Sequence, residues 1–389
     1  MKIGIVIDQL NVGGVEKIAI EQVTALRNKK VNAKLIILKK KKLIDTTFDQ
    51  LLKDVPIVYL DSRLPSILRF SFKFPVFYFF SSFHLSYPFL IPWIVKDNEF
   101  DYLFSHGTYT SFTVVAIKMI KGVHFSSFIW DPVGYILGRV YKDKFPKFIL
   151  SFLLFLSRFL DSLIIRNADT VLVGGDAHNA YFKGLDEDVR IVTIPPSVDI
   201  IKRPVRQKAK YILTVTAWKR GKNPEYLIEL IKKMPGISIK MAGKWIENSY
   251  RAEYVELLKR QHVEKSIEVL GGISEKGLKK LYSEASLVLQ TNDDRGFGMP
   301  ALEAAGNGTT FIIPRGQGVC NLFKDRIDGF FTKEKDTLQI VKYIKLLLLD
   351  RELNQRMSRH AWETVRNNYT WDKHAEKLLH VAETYAKDK

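Results

Sequence analysis

A chain of 389 residues is long enough for two or three compact units at ~150 residues each. Its 60 Lys and Arg against 42 Asp and Glu leave a net charge of +18, which points to an anionic partner. With 46% apolar and 26% charged residues the composition is globular, which excludes a largely disordered chain, a collagen or a coiled coil. The single Cys320 excludes an intramolecular disulfide and zinc sites built on paired CxxC motifs, and it fits a reducing, cytoplasmic compartment.

The opening MKIGIVIDQL carries too short an apolar run for the core of a signal peptide and reads as a buried first strand. The loop DQLNVGGVEK, Asp8 to Lys17, follows it. Val15, Ile18, Ala19, Val23 and Leu26 then fall near a 3.6 period and predict a helix. A helix N-terminus behind a glycine turn favours an anion, and Gly13 and Gly14 permit close backbone approach, although tight packing alone would also explain them. The spacing is not GxGxxG, so no dinucleotide cofactor is expected. Further strands are read at KLIIL from Lys34, YLFSH from Tyr102, SSFIW from Ser126, TVLVGG from Thr170 and RIVTI from Arg190. Continuous apolar strands alternating with helices specify a parallel sheet covered on both faces.

Two apolar segments interrupt this pattern. Phe74 to Val95 is a 22-residue stretch without Asp, Glu, Lys or Arg, a spanning length. Pro75, Pro88 and Pro92 and nine aromatic residues argue against a span and towards an interface. The run FILSFLLFLS, Phe148 to Ser157, has 10 residues between Lys147 and Arg158 and reads as an amphipathic or buried helix. With the +18 charge, these segments predict a first domain that touches an anionic membrane, peripheral on its cytoplasmic face, and sediments with acidic but not neutral liposomes. The alternative is that they are ordinary core helices.

Pro195, Pro196 and the basic stretch IKRPVRQKAK read as a linker, with a boundary near Ile200. The expected division is residues 1–199, a second domain 200–370, and a final helix 371–389 with Ala375, Leu378, Leu379 and Ala382 on one face that crosses back to the first domain. Five strands are expected in the second domain: YILTVT at Tyr211, SIKMAG at Ser238, IEVLGG at Ile267, LVLQT at Leu287 and TFIIP at Thr310. Asn223 and Pro224 read as N-cap and first helical residue, ahead of an apolar face of Leu227, Leu230, Ile231 and Met234. The fold class is α/β, two Rossmann-like doubly wound domains that would face each other across a cleft, with ligands at the strand carboxyl ends.

The densest segment is TNDDRGFGMPALEAAGNG, Thr291 to Gly308. Gly296 and Gly298 allow a strained turn, Pro300 suits a first helical position, and Glu303 is expected in the first helical turn, able to accept hydrogen bonds from paired sugar hydroxyls. TAWKRGKNP sets Lys219, Arg220 and Lys222 at a helix start. There they suit a diphosphate or form a plain solvated basic face.

The run RGFGMPALEAAGNG, followed by IIPRGQG and Asp328, resembles the signature of glycosyltransferase family 4, group 1, whose members are retaining enzymes of GT-B fold that use nucleotide sugars. GGVEK at Gly13, IPPSVD at Ile194, MAGKW at Met241, LGGIS at Leu270 and YTWDKHAEKLL at Tyr369 resemble other parts of the same pattern. The resemblance implies a hexosyltransferase with its nucleotide-sugar site in the second domain and a glycan or lipid acceptor in the first. It implies that Glu303 holds the ribose, Lys222 the diphosphate, Gly243 and Ser274 the base and ribose, and the backbone of Phe297, Gly298 and Met299 the sugar or phosphate. Gly14, with Gly13, would approach the diphosphate from the first domain.

The departures from that pattern are specific. Where the family has its first glutamate, eight positions before Glu303, stands Arg295, so Asp293 or Asp294 would substitute, or Arg295 itself would steady the leaving phosphate. Ala217 occupies the place of the usual arginine, leaving Lys219 or Arg220 to supply the charge. Trp130-Asp131 replaces His-Asp, so Asp131 or His106 would take the histidine's role, although His106 also reads as a structural loop residue. Retention needs no protein nucleophile, and the basic residues can neutralise the leaving diphosphate without a metal, so metal independence is expected. A degenerate, non-catalytic binding or membrane-associated protein is the alternative. No recognition motif supports nucleic-acid binding.

Overall fold

In the computed structural model, residues 1–10, 13–40, 49–68, 87–140, 145–204, 209–291 and 296–386 are described. The chain divides into two units, Met1–Pro196 with Trp371–Lys389, and Ser197–Thr370. The division falls directly after the proline pair, a few residues ahead of the boundary read near Ile200.

The first unit runs β1 (Lys2–Ile7), α1 (Gly14–Asn28), β2 (Asn32–Ile37), α2 (Asp49–Leu52), β3 (Ile57–Tyr59), α3 (Tyr87–Ile94), β4 (Tyr102–His106), α4 (Thr108–Lys121), β5 (His124–Phe128), α5 (Val133–Val140), α6 (Lys147–Asn167), β6 (Thr170–Val173), α7 (Asn179–Lys183) and β7 (Ile191–Thr193). The second runs β8 (Tyr211–Val215), α8 (Glu225–Lys232), β9 (Ser238–Ala242), α9 (Asn248–Arg260), β10 (Ile267–Gly271), α10 (Glu275–Glu284), β11 (Leu287–Leu289), α11 (Met299–Gly306), β12 (Phe311–Pro314), β13 (Phe330–Thr332), α12 (Thr337–Leu349) and α13 (Arg351–Asn368). The last helix, α14 (Trp371–Ala386), belongs to the first unit.

Both sheets are parallel, ordered β3-β2-β1-β4-β5-β6-β7 and β10-β9-β8-β11-β12-β13. Among the described residues, seven and six strands replace the six and five read from the sequence; β3 and β13, three residues each, are additional. The strand read at SSFIW is shifted: β5 is HFSSF, so Ile129 and Trp130 lie past its end.

The first sheet is covered on both faces, as continuous apolar strands require. One face packs Ile3, Ile5, Leu35 and Phe104 against Ile20, Val23 and Leu26 of α1 and Ala375, Leu378 and Ala382 of α14. The other packs Val6, Leu103, Phe125 and Val171 against Ile91 of α3, Val114 of α4 and Ile164 and Ile165 of α6. In the second unit Leu227, Leu230, Ile231 and Met234 are buried as expected. The entry to α8 differs, because Asn223 adopts a left-handed conformation (φ 46°) and caps nothing with its side chain; Pro224, at φ −61° and ψ −24°, begins the helical geometry.

The apolar run read as 10 residues is the middle of a longer helix. α6 has 21 residues, long and apolar enough by length and composition to cross a membrane, yet only 33% of its most apolar window is buried. Of the segment Phe74–Val95, residues 74–86 lie outside the described residues, and α3 occupies much of the remainder with Pro92 inside it.

Candidate functional site

In a doubly wound sheet the strand carboxyl ends face helix N-termini, which gathers exposed N–H groups and free loops at one edge. In the second unit that edge is laced through backbone. Thr216 N–H donates to Ala242 O (3.3 Å) and Gly243 N–H to Gly271 O (2.8 Å), joining the ends of β8, β9 and β10. Gly243 has φ +117°, and a Cβ there would lie 1.9 Å from Thr216 O, so only glycine fits. Trp218 closes the loop after β8. Its N–H donates to Lys244 O and its indole N–H to Ala242 O, and its ring stacks on Trp245 at 5.8 Å.

The segment past β11 is held in the same way. Gly298 takes φ +91° ahead of α11, where a Cβ would meet Gln317 Oε1 at 2.5 Å and Val319 Cγ1 at 2.7 Å. Gly318 N–H donates to Gly296 O and Val319 N–H to Phe297 O (2.7 Å), so Gly296–Phe297 and Gly318–Val319 are one hydrogen-bonded structure. Glu303 is the fifth residue of α11 and therefore sits in its second turn, not the first. The sequence suits Pro300 to the first helical position, but the helix starts one residue earlier, at Met299. The carboxylate accepts a 2.7 Å hydrogen bond on Oε2 from Tyr282, a buried phenol on α10 whose pKa is raised by desolvation and by Glu303 itself. Tyr282 was missed in the sequence, where a tyrosine on an amphipathic helix reads as core.

The basic loop divides. Lys219 is exposed and Lys222 half-buried, either side of a short 3-10 turn. Arg220 instead turns onto α9, donating to both oxygens of Glu253 (2.8 and 3.0 Å), with Glu247 near and the Tyr250 ring 4.6 Å beneath. The guanidinium and both carboxylates are exposed, so this ion pair lies on the surface of the unit. Ser274 caps α10 by accepting from Gly277 N–H. Asp293, Asp294 and Arg295 lie outside the described residues.

In the first unit Gly13 and Gly14 open α1. A Cβ on Gly13 would strike the Glu16 carboxylate, whereas one on Gly14 would meet nothing within 4 Å. His106 is buried with both ring nitrogens engaged. The Trp130 indole N–H donates to Nδ1 (3.2 Å), which fixes the tautomer, so Nε2–H donates to Gln22 Oε1 (2.8 Å). The Gln22 amide then donates to His374 Nε2 (3.0 Å), and His374 Nδ1–H to Pro195 O (2.9 Å). Burial, reinforced by the neighbouring His374, pushes His106 down to about 3; burial pushes His374 down to about 4. A neutral, fully bonded histidine has no nitrogen left for substrate, so His106 ties β4 to α1 and α14. Asp131 is partly exposed past β5, its carboxylate 3.5 Å from Nε2 of the buried His178, whose ring lies edge-on to Tyr135 at 4.8 Å. Of the two first-domain candidates, Asp131 is the accessible one; His178, its neighbour, carried no sequence signal.

Residues 198–364 match the family model of glycosyl transferases group 1. The match is at the level of that group, not of family 4 within it. An uncharacterized glycosyltransferase of Methanocaldococcus jannaschii is 26% identical over 180 residues, 46% of this chain and 45% of that protein. The D-inositol 3-phosphate glycosyltransferase of Corynebacterium urealyticum is 24% identical over 251 residues, 58% of each chain. The chain thus spans about half the length of the curated relatives it matches. Among solved structures, Anabaena HepE in complex with UDP and glucose superposes with a TM-score of 0.74 at 15% identity, over 99% of this chain and 100% of that one. The fold is GT-B.

Proposed function

We propose, for a chain whose residues 198–364 form a domain of the glycosyl transferases group 1 family, that it transfers a sugar from a nucleotide-sugar donor to a hydroxyl of a glycan or lipid acceptor, with retention of configuration. The observation that carries the reading is Glu303, a carboxylate clamped by Tyr282 one turn into the helix behind the strained Gly298 loop. A carboxylate held this way accepts hydrogen bonds from the paired hydroxyls of a ribose. The N–H groups of Phe297, Gly298 and Met299 at the start of α11 suit the donor's sugar and phosphates. Gly243 and Ser274 flank the base, and Lys219 with Lys222 neutralises the diphosphate. HepE, of like fold, binds UDP and glucose, which supports a nucleoside diphosphate here.

In this reading the C1–oxygen bond to the diphosphate breaks as the acceptor oxygen bonds to C1 on the same face. The acceptor proton passes to the departing phosphate oxygen. The protein supplies orientation and charge stabilisation, and Asp131 in the first unit orients the acceptor hydroxyl. Lysines take the part that a cation plays elsewhere, so turnover should persist in EDTA.

The test is a thermal-shift screen of UDP, GDP, ADP, CDP and TDP, with Glu303→Ala beside the wild type. A nucleotide at 100 times its Kd stabilises by ~2.7 kcal/mol, a shift of a few degrees. One nucleotide that shifts the wild type and not the variant, followed by transfer or hydrolysis of its sugar conjugate, supports the proposal. No shift with any of the five overturns it.

A further inference from the structure

α6 is an apolar helix that its own unit leaves half uncovered. Phe148, Phe152, Phe155 and Phe159 are 75%, 62%, 69% and 58% exposed. Their spacing puts all four within an arc of about 60° at ~100° per residue. The opposite side of the helix carries its buried residues, Leu153, Ser157, Asp161, Ile164 and Ile165. Ser157 faces α5, since a Cβ on Gly134 would lie 2.9 Å from its hydroxyl, and Leu154 approaches Gly138.

The position of this stripe is fixed by Asp161. Its buried carboxylate accepts from Thr108 Oγ1 (3.0 Å) and Tyr181 OH (2.7 Å). Thr108 lies two residues past the end of β4, so Asp161 marks the carboxyl edge of the sheet. α6 ends where β6 begins, at the amino edge. The fourteen residues 147–160, about 21 Å of helix at ~1.5 Å per residue, therefore lie on the carboxyl-edge side of Asp161.

We propose that this phenylalanine face of α6 seats the first unit in the interfacial layer of an anionic bilayer, lying in the membrane plane and not crossing it. An aromatic stripe opposite an anchored side, with the exposed cations Lys147 and Arg158 on the same stretch of a basic chain, has the composition of an interfacial helix on acidic lipid. A span is excluded by the anchoring: Asp161, Ile164 and Ile165 are held in the first unit and cannot leave it for hydrocarbon. Unlike the membrane contact expected from sequence, this places the contact on one face of one helix, and it stands independently of sugar transfer.

The experiment is cosedimentation of the full chain with vesicles of phosphatidylcholine alone and of equal parts phosphatidylcholine and phosphatidylglycerol. The wild type should sediment with the acidic vesicles. Replacing the four phenylalanines by serine should cut its partition about tenfold or more while the melting curve by circular dichroism is kept, since exposed side chains hold no core together. Lys147→Glu with Arg158→Glu should remove the preference for acidic over neutral lipid. As a second readout, Phe155→Trp should show a blue-shifted emission on acidic vesicles. Equal sedimentation of the wild type and the serine variant, or no binding by the wild type, overturns the proposal. So does a stable wild-type dimer in light scattering that the serine substitutions dissociate, which would assign the face to a second copy.

Discussion

Lowering the pH from 7 to 5 should weaken the first unit, and the size of the effect follows from three buried groups. His106 and His374 have pKa values lowered by burial to about 3 and about 4, from an ordinary 6.5. Between those values and 6.5 the unfolded chain binds protons that the folded one does not, so stability is full above pH 6.5 and falls as pH drops. Over the two units from 7 to 5 each histidine should cost about 2 kcal/mol. Asp161 works in the opposite direction. Burial raises it to about 6 against 3.8, the Tyr181 and Thr108 hydrogen bonds offsetting only part. Its folded form takes up a proton first, which contributes about 1 kcal/mol as the pH falls over the same range. The net expectation is a loss of between about 2 and 3 kcal/mol, a large fraction of the ~5–15 kcal/mol that holds a domain together. Urea titrations at pH 7, 6 and 5, followed through a first-unit signal, measure it. His374→Gln, which keeps a hydrogen-bonding side chain and removes one titration, should reduce the loss by nearly 2 kcal/mol. Stability that is flat or rising towards pH 5 would refute the buried, neutral state of the Gln22-linked pair.

Three substitutions test the second unit. Tyr282→Phe removes the donor that holds Glu303 Oε2 and, by loosening the carboxylate, should weaken nucleoside diphosphate binding by up to about tenfold in calorimetry; an unchanged Kd would show that Tyr282 does not position Glu303 for the nucleotide. Gly298→Ala forces a side chain into φ +91° and against Gln317 and Val319, about 1–2 kcal/mol of backbone strain and about 1–3 of overpacking, so the urea midpoint of the second unit should fall; an unmoved midpoint would mean the loop can relax. Arg220→Ala should leave nucleotide affinity unchanged because Glu253 and Glu247 hold the guanidinium, and a loss of binding would show that it leaves them for the donor.

What could be read from the sequence, and what could not, separates along physical lines. Most strands declared themselves as continuous apolar runs, the three-residue β7 and β11 among them. β3 and β13 did not: IVY and FFT are only three residues long and carry no period. The glycine turn before α11 was legible because glycine and proline act locally. The partner of its carboxylate was not, since Tyr282 meets Glu303 only through packing of α10 on α11, and Gln22 meets His374 across most of the chain. The same limit hid the contact of Arg220 with Glu253 on α9. In α6 the run FILSFLLFLS is apolar on every side. Only the anchoring of Asp161 shows that Leu153 goes inward and the phenylalanines outward.

Together with the sugar transfer proposed above, that anchoring bears on the acceptor the proposal would expect. Asp131 and His178 follow β5 and β6 at the same carboxyl edge that Asp161 marks. From that edge the phenylalanine face, Phe148 to Phe159, runs for about 17 Å at ~1.5 Å per residue, so the proposed bilayer contact and Asp131 share the carboxyl-edge side of the sheet. An acceptor free in solution gains nothing from this arrangement. One whose reacting hydroxyl is carried on a lipid headgroup is delivered to the edge by diffusion in two dimensions, and its apolar tail never has to leave the membrane. If the sugar transfer and the membrane contact proposed above both hold, a lipid-linked acceptor is expected over a soluble glycan. If vesicle binding proves real while only soluble glycans are glycosylated, this link fails even though both separate readings stand.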